Sequence, residues 1–192
     1  MSDNPYPKAI TLPDGAEVRI EQMTPEHRDD LLAFANGLSE EDMLFLRMDI
    51  TQADVVDNWM GNLASGSSVS LAAFDDGGLI GYASVHRNAT PWMRRVGEIR
   101  VNVSQAYRAR GLGKNLTSEI FAVARGLGLK KLTANMTSDQ HGAQAAFRRL
   151  GFVPEALLAD YVEDRNGTVR DLVIMSYDID GLTDSIADTV KI

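Results

Sequence analysis

The chain has no cysteine among its 192 residues. Disulfides, thiol nucleophiles and zinc–thiolate sites are therefore excluded. It has no apolar run approaching the ~18 residues of a membrane-spanning helix. Its opening Met-Ser-Asp-Asn-Pro-Tyr-Pro has no basic stretch followed by an apolar core, so neither export nor membrane insertion is expected and the expected location is cytoplasmic. Basic residues are in deficit: 19 Lys and Arg stand against 27 Asp and Glu, a formal net charge of −8. That balance speaks against nucleic acid as a partner and mildly favours a basic acceptor such as an amine. Internal repeats and low-complexity stretches are also missing. Five Asn-x-Ser/Thr sequons, at Asn88, Asn102, Asn115, Asn135 and Asn166, carry no weight in a cytoplasmic chain. What is present is a 44% apolar composition, enough to build the core of one domain over residues 1–192.

Periodicity divides the chain into alternating elements. Residues 17–23 alternate as a strand after the Pro13-Asp14-Gly15 turn, and Thr24 is placed to cap a helix with Pro25 at its first position, running to about Asn36. A second helix fits 52–63, carrying Val55, Val56, Trp59 and Met60. Strands at 68–74 and 79–86 flank Asp75-Asp76-Gly77-Gly78, a hairpin signal. A strand at 96–103, a helix at 112–127, a strand at 131–136 and a helix ending at Gly151 follow. Residues 157–163 and 168–178 flank Asp164-Arg165-Asn166-Gly167 as a second hairpin. The folded core is expected over about 15–180, with 181–192 as a loose tail.

The most informative junction is Arg108-Ala109-Arg110-Gly111-Leu112-Gly113-Lys114, which ends a strand and opens a helix. Such a turn presents free backbone N–H groups at the positive end of the helix dipole, a site for phosphate or pyrophosphate. A Walker loop needs four residues between its first glycine and Gly-Lys-Ser/Thr; here only Leu112 separates Gly111 from Gly113, and Asn115 follows Lys114. A dinucleotide fingerprint needs a third glycine where Leu116 stands. Both readings fail on spacing. What remains is Arg-x-x-Gly-x-Gly behind Val101 and Val103, with Arg108 and Arg110 adding positive charge where a ligand carries negative charge. The plain alternative is a strand–helix turn with structural glycines. A second motif follows: a strand at 131–136, then a helix ending Leu150-Gly151-Phe152 with Phe147 four positions before the glycine. Gly151 is placed as a C-terminal cap.

In order and kind, the two motifs resemble the acetyl-CoA site of the GNAT superfamily of N-acetyltransferases. The resemblance implies an α/β (α+β) fold with a central, mostly antiparallel sheet of about seven strands and about four helices. It also implies acetyl-CoA as cosubstrate with no metal, and a pantetheine arm lying between the splayed strands against the backbone at Val101, Asn102 and Val103. Asn135 would line the acceptor side or bond the pantetheine, and Phe147 would pack on the cofactor. The acceptor is a small-molecule amine or a protein lysine, reached from loops around 37–66 and 87–95 and from the hairpin at 160–170; a homodimer stays open. Leu12-Pro13-Asp14-Gly15 followed by Leu38-Ser39-Glu40-Glu41 and Arg47 resembles the acetyltransferase domain of bacterial protein-lysine acetyltransferases.

Acetyl transfer to an amine needs a proton acceptor and a donor for the oxyanion. Glu98, on the strand entering the site, is the candidate base; the alternative is a strand residue paired with Arg94 or Arg100. A backbone N–H near Val101 or Val103 is the candidate oxyanion donor. The chain departs from the family pattern at Phe147, where a tyrosine acid is usual, and at Gln140, where an asparagine is common. Phenylalanine cannot donate a proton, so thiolate release falls to solvent or to Tyr161 or Tyr107. Ser138 or Asp139 is expected to cap the helix. His141 is expected to face solvent, and His27 and His86 have no partner recognisable in sequence. Two other classes fit the same residues: a non-catalytic acetyl-CoA sensor, and an interaction module anchored by an exposed Trp59 or Trp92.

Overall fold

The hairpin expected around Asp75–Gly78 joins β3 (Ser68–Asp75) to β4 (Gly78–Arg87) at the centre of one eight-stranded sheet. The structure is a computed structural model that describes residues 5–44, 46–88 and 90–180; the expected tail at 181–192 lies outside the described residues. The other strands are β1 (Lys8–Thr11), β2 (Glu17–Gln22), β5 (Val96–Val103), β6 (Lys131–Thr137), β7 (Val153–Glu163) and β8 (Val169–Asp178), and the spatial order is β1-β2-β3-β4-β5-β6-β8-β7. Every neighbouring pair is antiparallel except β5 with β6. Among the described residues five α-helices accompany it: α1 (Arg28–Asn36), α2 (Glu40–Leu44), α3 (Ala53–Ala64), α4 (Leu112–Gly126) and α5 (His141–Arg149).

The fold class is the expected one, with one more strand and one more helix. β1 left no alternation to read because it is four residues on a sheet edge, three of them exposed. It extends the folded region back past residue 15. Tyr6 Oη donates to Glu119 of α4 at 3.0 Å and Lys8 Nζ reaches the same carboxylate at 2.5 Å. The short α2 spans little more than one turn, too few residues for a helical period.

Strand alternation sorts β3, β4 and β5 into two faces. Leu71, Ala73, Ala83, Val85 and Ile99 point to one face, where Leu112, Leu116, Ile120 and Ala124 of α4 form a stripe at four-residue spacing. On the other face, Ala72, Phe74 and Tyr82 pack against Leu31 and Phe34 of α1 and against Val56, Trp59 and Met60 of α3. Trp59 is only 2% exposed and its ring meets Tyr82 at 5.1 Å and His86 at 5.9 Å. This corrects the expectation of an exposed Trp59: the residue is core, placed there by the i, i+3, i+4 spacing of Val56, Trp59 and Met60. Trp92 is 92% exposed, on the 3-10 turn Pro91–Met93.

Local chemistry accounts for the helix ends. The helix expected from Thr24 opens as a 3-10 turn, Pro25–His27, in which the Thr24 N–H donates to His27 Nδ1 at 2.9 Å. His27 Nε2 lies 3.2 Å from Glu21 Oε1, and His86 Nε2 lies 2.9 Å from Ser84 Oγ, so both histidines have partners that sequence spacing did not reveal. At the C-terminus of α5, Gly151 (φ +92°) donates to Arg148 O and Phe152 N–H to Phe147 O, both at 3.0 Å. This is the paired Schellman closure that needs a left-handed residue. Neither Ser138 nor Asp139 caps α5: Asp139 Oδ1 accepts from Thr137 Oγ1 at 2.6 Å and the residue pairs with Arg170, which draws it back toward β6 and β8.

Between β5 and β6 the sheet opens. Only Val96↔Lys131, Gly97↔Leu132 and Glu98↔Thr133 pair; beyond them β5 stays with β4 as far as Val103 while β6 follows β8 as far as Thr137. Glu98 therefore stands at the head of a gap.

Candidate active site

The backbone lining that gap follows from strand geometry. Ser104 N–H bonds Ile80 O at 2.9 Å in register with β4, so by alternation the amides of Asn102 and Arg100 face β4 and those of Ile99, Val101 and Val103 face the gap. Val101 thus turns its N–H and C=O toward the gap, and Val103 its N–H, while the Val103 carbonyl accepts from Arg108. Asn102 contributes its side chain instead, donating from Nδ2 to Tyr82 Oη at 2.7 Å. A cavity of about 180 Å³ occupies the gap, lined by Glu98, Val101, Asn102, Asn135 and Phe147 together with Tyr82, Trp59 and Arg100. Among the described residues, Asn135 Oδ1 and Trp59 Nε1 are buried without a hydrogen-bond partner. Such atoms are costly to leave unpaired and mark where a ligand's polar groups fit.

At the mouth of the gap lies the glycine turn. Ala109 (φ +57°) and Gly111 (φ +92°) both adopt left-handed backbone, which swings the chain from β5 into α4. Among the described residues, the first N–H of α4 with a backbone acceptor is that of Asn115, to Gly111 O at 3.1 Å. The amides of Leu112, Gly113 and Lys114 are left for an anion. The two arginines are less free than expected. Arg108 Nε donates to Val103 O at 3.2 Å and its Nη2 lies 2.6 Å from Asp42 Oδ1. Arg110 pairs with Asp14 and lies over the Tyr107 ring at 4.3 Å. Lys114 is exposed and has no ion pair among the described residues. Tyr107 Oη donates to Asp75 at 2.5 Å, which removes it as a proton donor to the cavity.

Glu98 is pinned between two guanidinium groups. Arg100 Nε donates to Oε1 at 3.1 Å and Arg47 donates to Oε2, while Arg94 is elsewhere, bonding Pro91 O. Burial pushes the carboxyl up, but the charge of Arg100 and the bond from Arg47 outweigh it and hold Glu98 below the usual carboxylate range. Across the strand pair sits His86, in register with Glu98. Burial pushes its imidazole down to about 4; the charges of Arg100 and Arg47 act in the same direction and Glu98 opposes them. The unfolded chain, titrating near 6.5, takes up this proton first as pH falls. The His86 contribution to stability is therefore intact above about pH 6.5 and lost as pH falls toward 4, at most about 3 kcal/mol. Melting curves of wild type and His86→Gln between pH 7.5 and 4.5 should diverge in the acid half; parallel curves would remove His86 from the effect.

A second cavity, about 320 Å³, adjoins the first and shares Arg47, Asn135 and Gln140 with it. Its far wall is the β7–β8 hairpin, with Tyr161, Glu163, Leu172 and Ile174. Tyr82 lines the first cavity, with its phenol pushed up to about 12 by burial, so it stays a neutral hydroxyl. His141 is exposed at the start of α5, as expected. Sequence reasoning named Arg100 only as a partner for Glu98, which it is, and missed Tyr82, Asp42 and any role for Arg47. Arg100 and Tyr82 share the Glu98 face of the sheet, a pattern that strand alternation could have exposed; Asp42 and Arg47 reach the site only through tertiary folding. Among the described residues no group of three His, Asp or Glu is placed to hold a metal, and no helix is long and apolar enough to cross a membrane.

Residues 32–152 match the family model of the acetyltransferase (GNAT) family. Solved structures of similar fold include the GNAT domain of S. lividans PAT (TM-score 0.74, 21% identity, 89% of this chain and 96% of that one). A Brucella melitensis ribosomal-protein-alanine N-acetyltransferase gives a TM-score of 0.73 at 24% identity, covering 83% of this chain and 98% of that one. The Salmonella typhimurium protein yncA, solved with its cofactor acetyl-CoA, gives 0.73 at 21% identity over 84% of this chain and 94% of that one. Among curated proteins no sequence relative matches.

Proposed function

The chain belongs to the acetyltransferase (GNAT) family, and from that premise we propose that it transfers the acetyl group of acetyl-CoA to a primary amine by direct attack in a ternary complex. The observation that carries this reading is the β5–β6 gap with Glu98 at its head and the glycine turn at its mouth. The amides of 112–114 and Lys114 would hold the pyrophosphate. Pantetheine amides would pair with the gap-facing peptide of Val101, the N–H of Val103 and Asn135 Oδ1, which otherwise lacks a partner. Phe147 packs edge-on to Phe152 at 5.0 Å and lines the same gap, a place for the arm to rest.

In the transfer, the neutral amine attacks the thioester carbonyl, the C–S bond breaks, and the thiolate leaves with the proton supplied by water or a hydroxyl. Glu98, ionised at neutral pH, takes the ammonium proton directly or through water. A gap-facing amide such as Val101 N–H holds the oxyanion. Phe147 leaves the acid role to solvent, to Tyr82 in the first cavity or to Tyr161 in the adjoining one. The acceptor enters from the second cavity, as a small amine or a lysine side chain.

The test has two arms. Acetyl-CoA at about 100-fold over its dissociation constant should stabilise the fold by about 2.7 kcal/mol, read as a rise in melting temperature. Free thiol released with a panel of amines then separates enzyme from sensor: stabilisation without release favours the sensor. No stabilisation would sink the cofactor assignment.

A further inference from the structure

Three ion pairs leave one short segment for three separate parts of the site. Asp42 of α2 reaches Arg108 of the glycine turn at 2.6 Å, Arg47 pairs with Glu98, and Asp49 Oδ2 meets Arg165 of the β7–β8 turn at 3.0 Å. The first two have the signs of the two substrates. A carboxylate sits on an arginine of the turn that forms the proposed pyrophosphate site. A cation on an aliphatic stem sits on the carboxylate that an acceptor ammonium would meet. We propose that Asp42 of α2 and Arg47, on the described residues either side of position 45, act as a strap that fills both charge sites with internal stand-ins, so that donor binding at Arg108 frees Asp42 and withdraws Arg47 from Glu98.

The physical ingredients are in place. The strap is anchored at both ends, by Leu38 and the buried Ile50 packing among α1 and α3 residues, while its charged middle lies over the gap. Asp42 is tied to its own helix, its Oδ2 accepting from Ser39 Oγ at 2.8 Å and its N–H donating to the same Oγ at 3.1 Å. A shift of the Asp42 side chain is therefore coupled to α2, and α2 is tied to the residue before Arg47 by the Leu46 N–H bond to Met43 O at 3.2 Å. Arg47 and Arg108 are both exposed, 55% and 45% by side chain, so each pair is weak and readily exchanged. A pyrophosphate offers Arg108 more charge and a bidentate geometry than one carboxylate does. Donor affinity is lowered by whatever fraction of molecules is strapped. By reciprocity, freeing Glu98 and binding the donor favour each other.

The proposal rests on the CoA reading above, and calorimetric titration with CoA separates the two. Asp42→Asn keeps the shape and the Ser39 bonds but removes the competing charge. It is expected to bind CoA roughly two- to fivefold more tightly than wild type, and the gain is expected to vanish in an Arg108→Gln background. Asp42→Ser gives a second reading if the first variant melts early. In carbon-13 spectra, the Glu98 carboxyl should titrate nearer the ordinary range when CoA is saturating, and Arg47→Gln should show that shift without CoA. CoA binding unchanged or weakened by Asp42→Asn, or a Glu98 titration indifferent to CoA, overturns the strap alone. No CoA binding to the wild-type protein overturns the strap and the cofactor reading together.

Discussion

Replacing Glu98 with glutamine is expected to slow acetyl transfer by roughly a hundredfold or more, the usual contribution of a positioned general base, without lowering affinity for acetyl-CoA. The amide keeps the size of the carboxylate and two polar atoms toward Arg100 and Arg47, so the gap should keep its shape. What is lost is the negative charge that accepts the ammonium proton. Because Arg100 and Arg47 hold Glu98 below the usual carboxylate range, the carboxylate is fully ionised at neutral pH. The Glu98 limb of the wild-type profile should then lie below that range, apart from the limb set by protonation of the amine itself, and the Glu98→Gln variant should lack it. The same pairing makes Glu98 a weak base, which favours relay through a water over direct abstraction. Rate profiles against pH for the two proteins check this; an unchanged rate across the profile removes Glu98 from the chemistry.

The elements with long regular patterns were legible, and those fixed by tertiary contact were not. The stripe Leu112, Leu116, Ile120, Ala124 and the alternation of 96–103 have periods that only one element satisfies, so α4 and β5 appear where expected. The glycine turn and Leu150-Gly151-Phe152 were legible for a related reason: left-handed backbone at Gly111 and Gly151 limits which residues can stand there. β1 and α2 are too short to carry a period. The partners of charges were hardest to read. Arg108 and Arg110 read as free cations for a ligand, yet each has found a carboxylate 66 to 96 positions away in the chain, Asp42 for Arg108 and Asp14 for Arg110. Trp59 shows the converse: a large aromatic that the alternative interaction-module reading offered as a surface anchor is core, packed with Tyr82 and the α1 residues. Charge pairing depends on distance in space, which one sequence does not encode locally.

The second large effect is expected at Gly111. Its φ of +92° lies where a β-branched residue is strongly disfavoured, and a Cβ there would stand 3.2 Å from Pro13 Cδ. Gly111→Val must therefore either hold strained backbone, at a cost of order 1–3 kcal/mol, or relax toward negative φ. Relaxation rotates the peptide planes that aim the first amides of α4 at the mouth of the gap. It also moves the turn away from Pro13 and so from Asp14, the partner of Arg110. Affinity for CoA should fall by roughly tenfold to a hundredfold, while the sheet and α4 persist, since Leu112 and Leu116 keep their burial. Gly126→Ala is the matched control on the same helix. Nothing lies within 4 Å of a Cβ there, and alanine in a helix should add about 0.5–1 kcal/mol of stability with CoA affinity unchanged. Calorimetry with CoA and thermal melts on both variants decide the matter. A Gly111→Val variant that binds CoA as wild type does would show that the turn is a structural connection and that the pyrophosphate lies elsewhere.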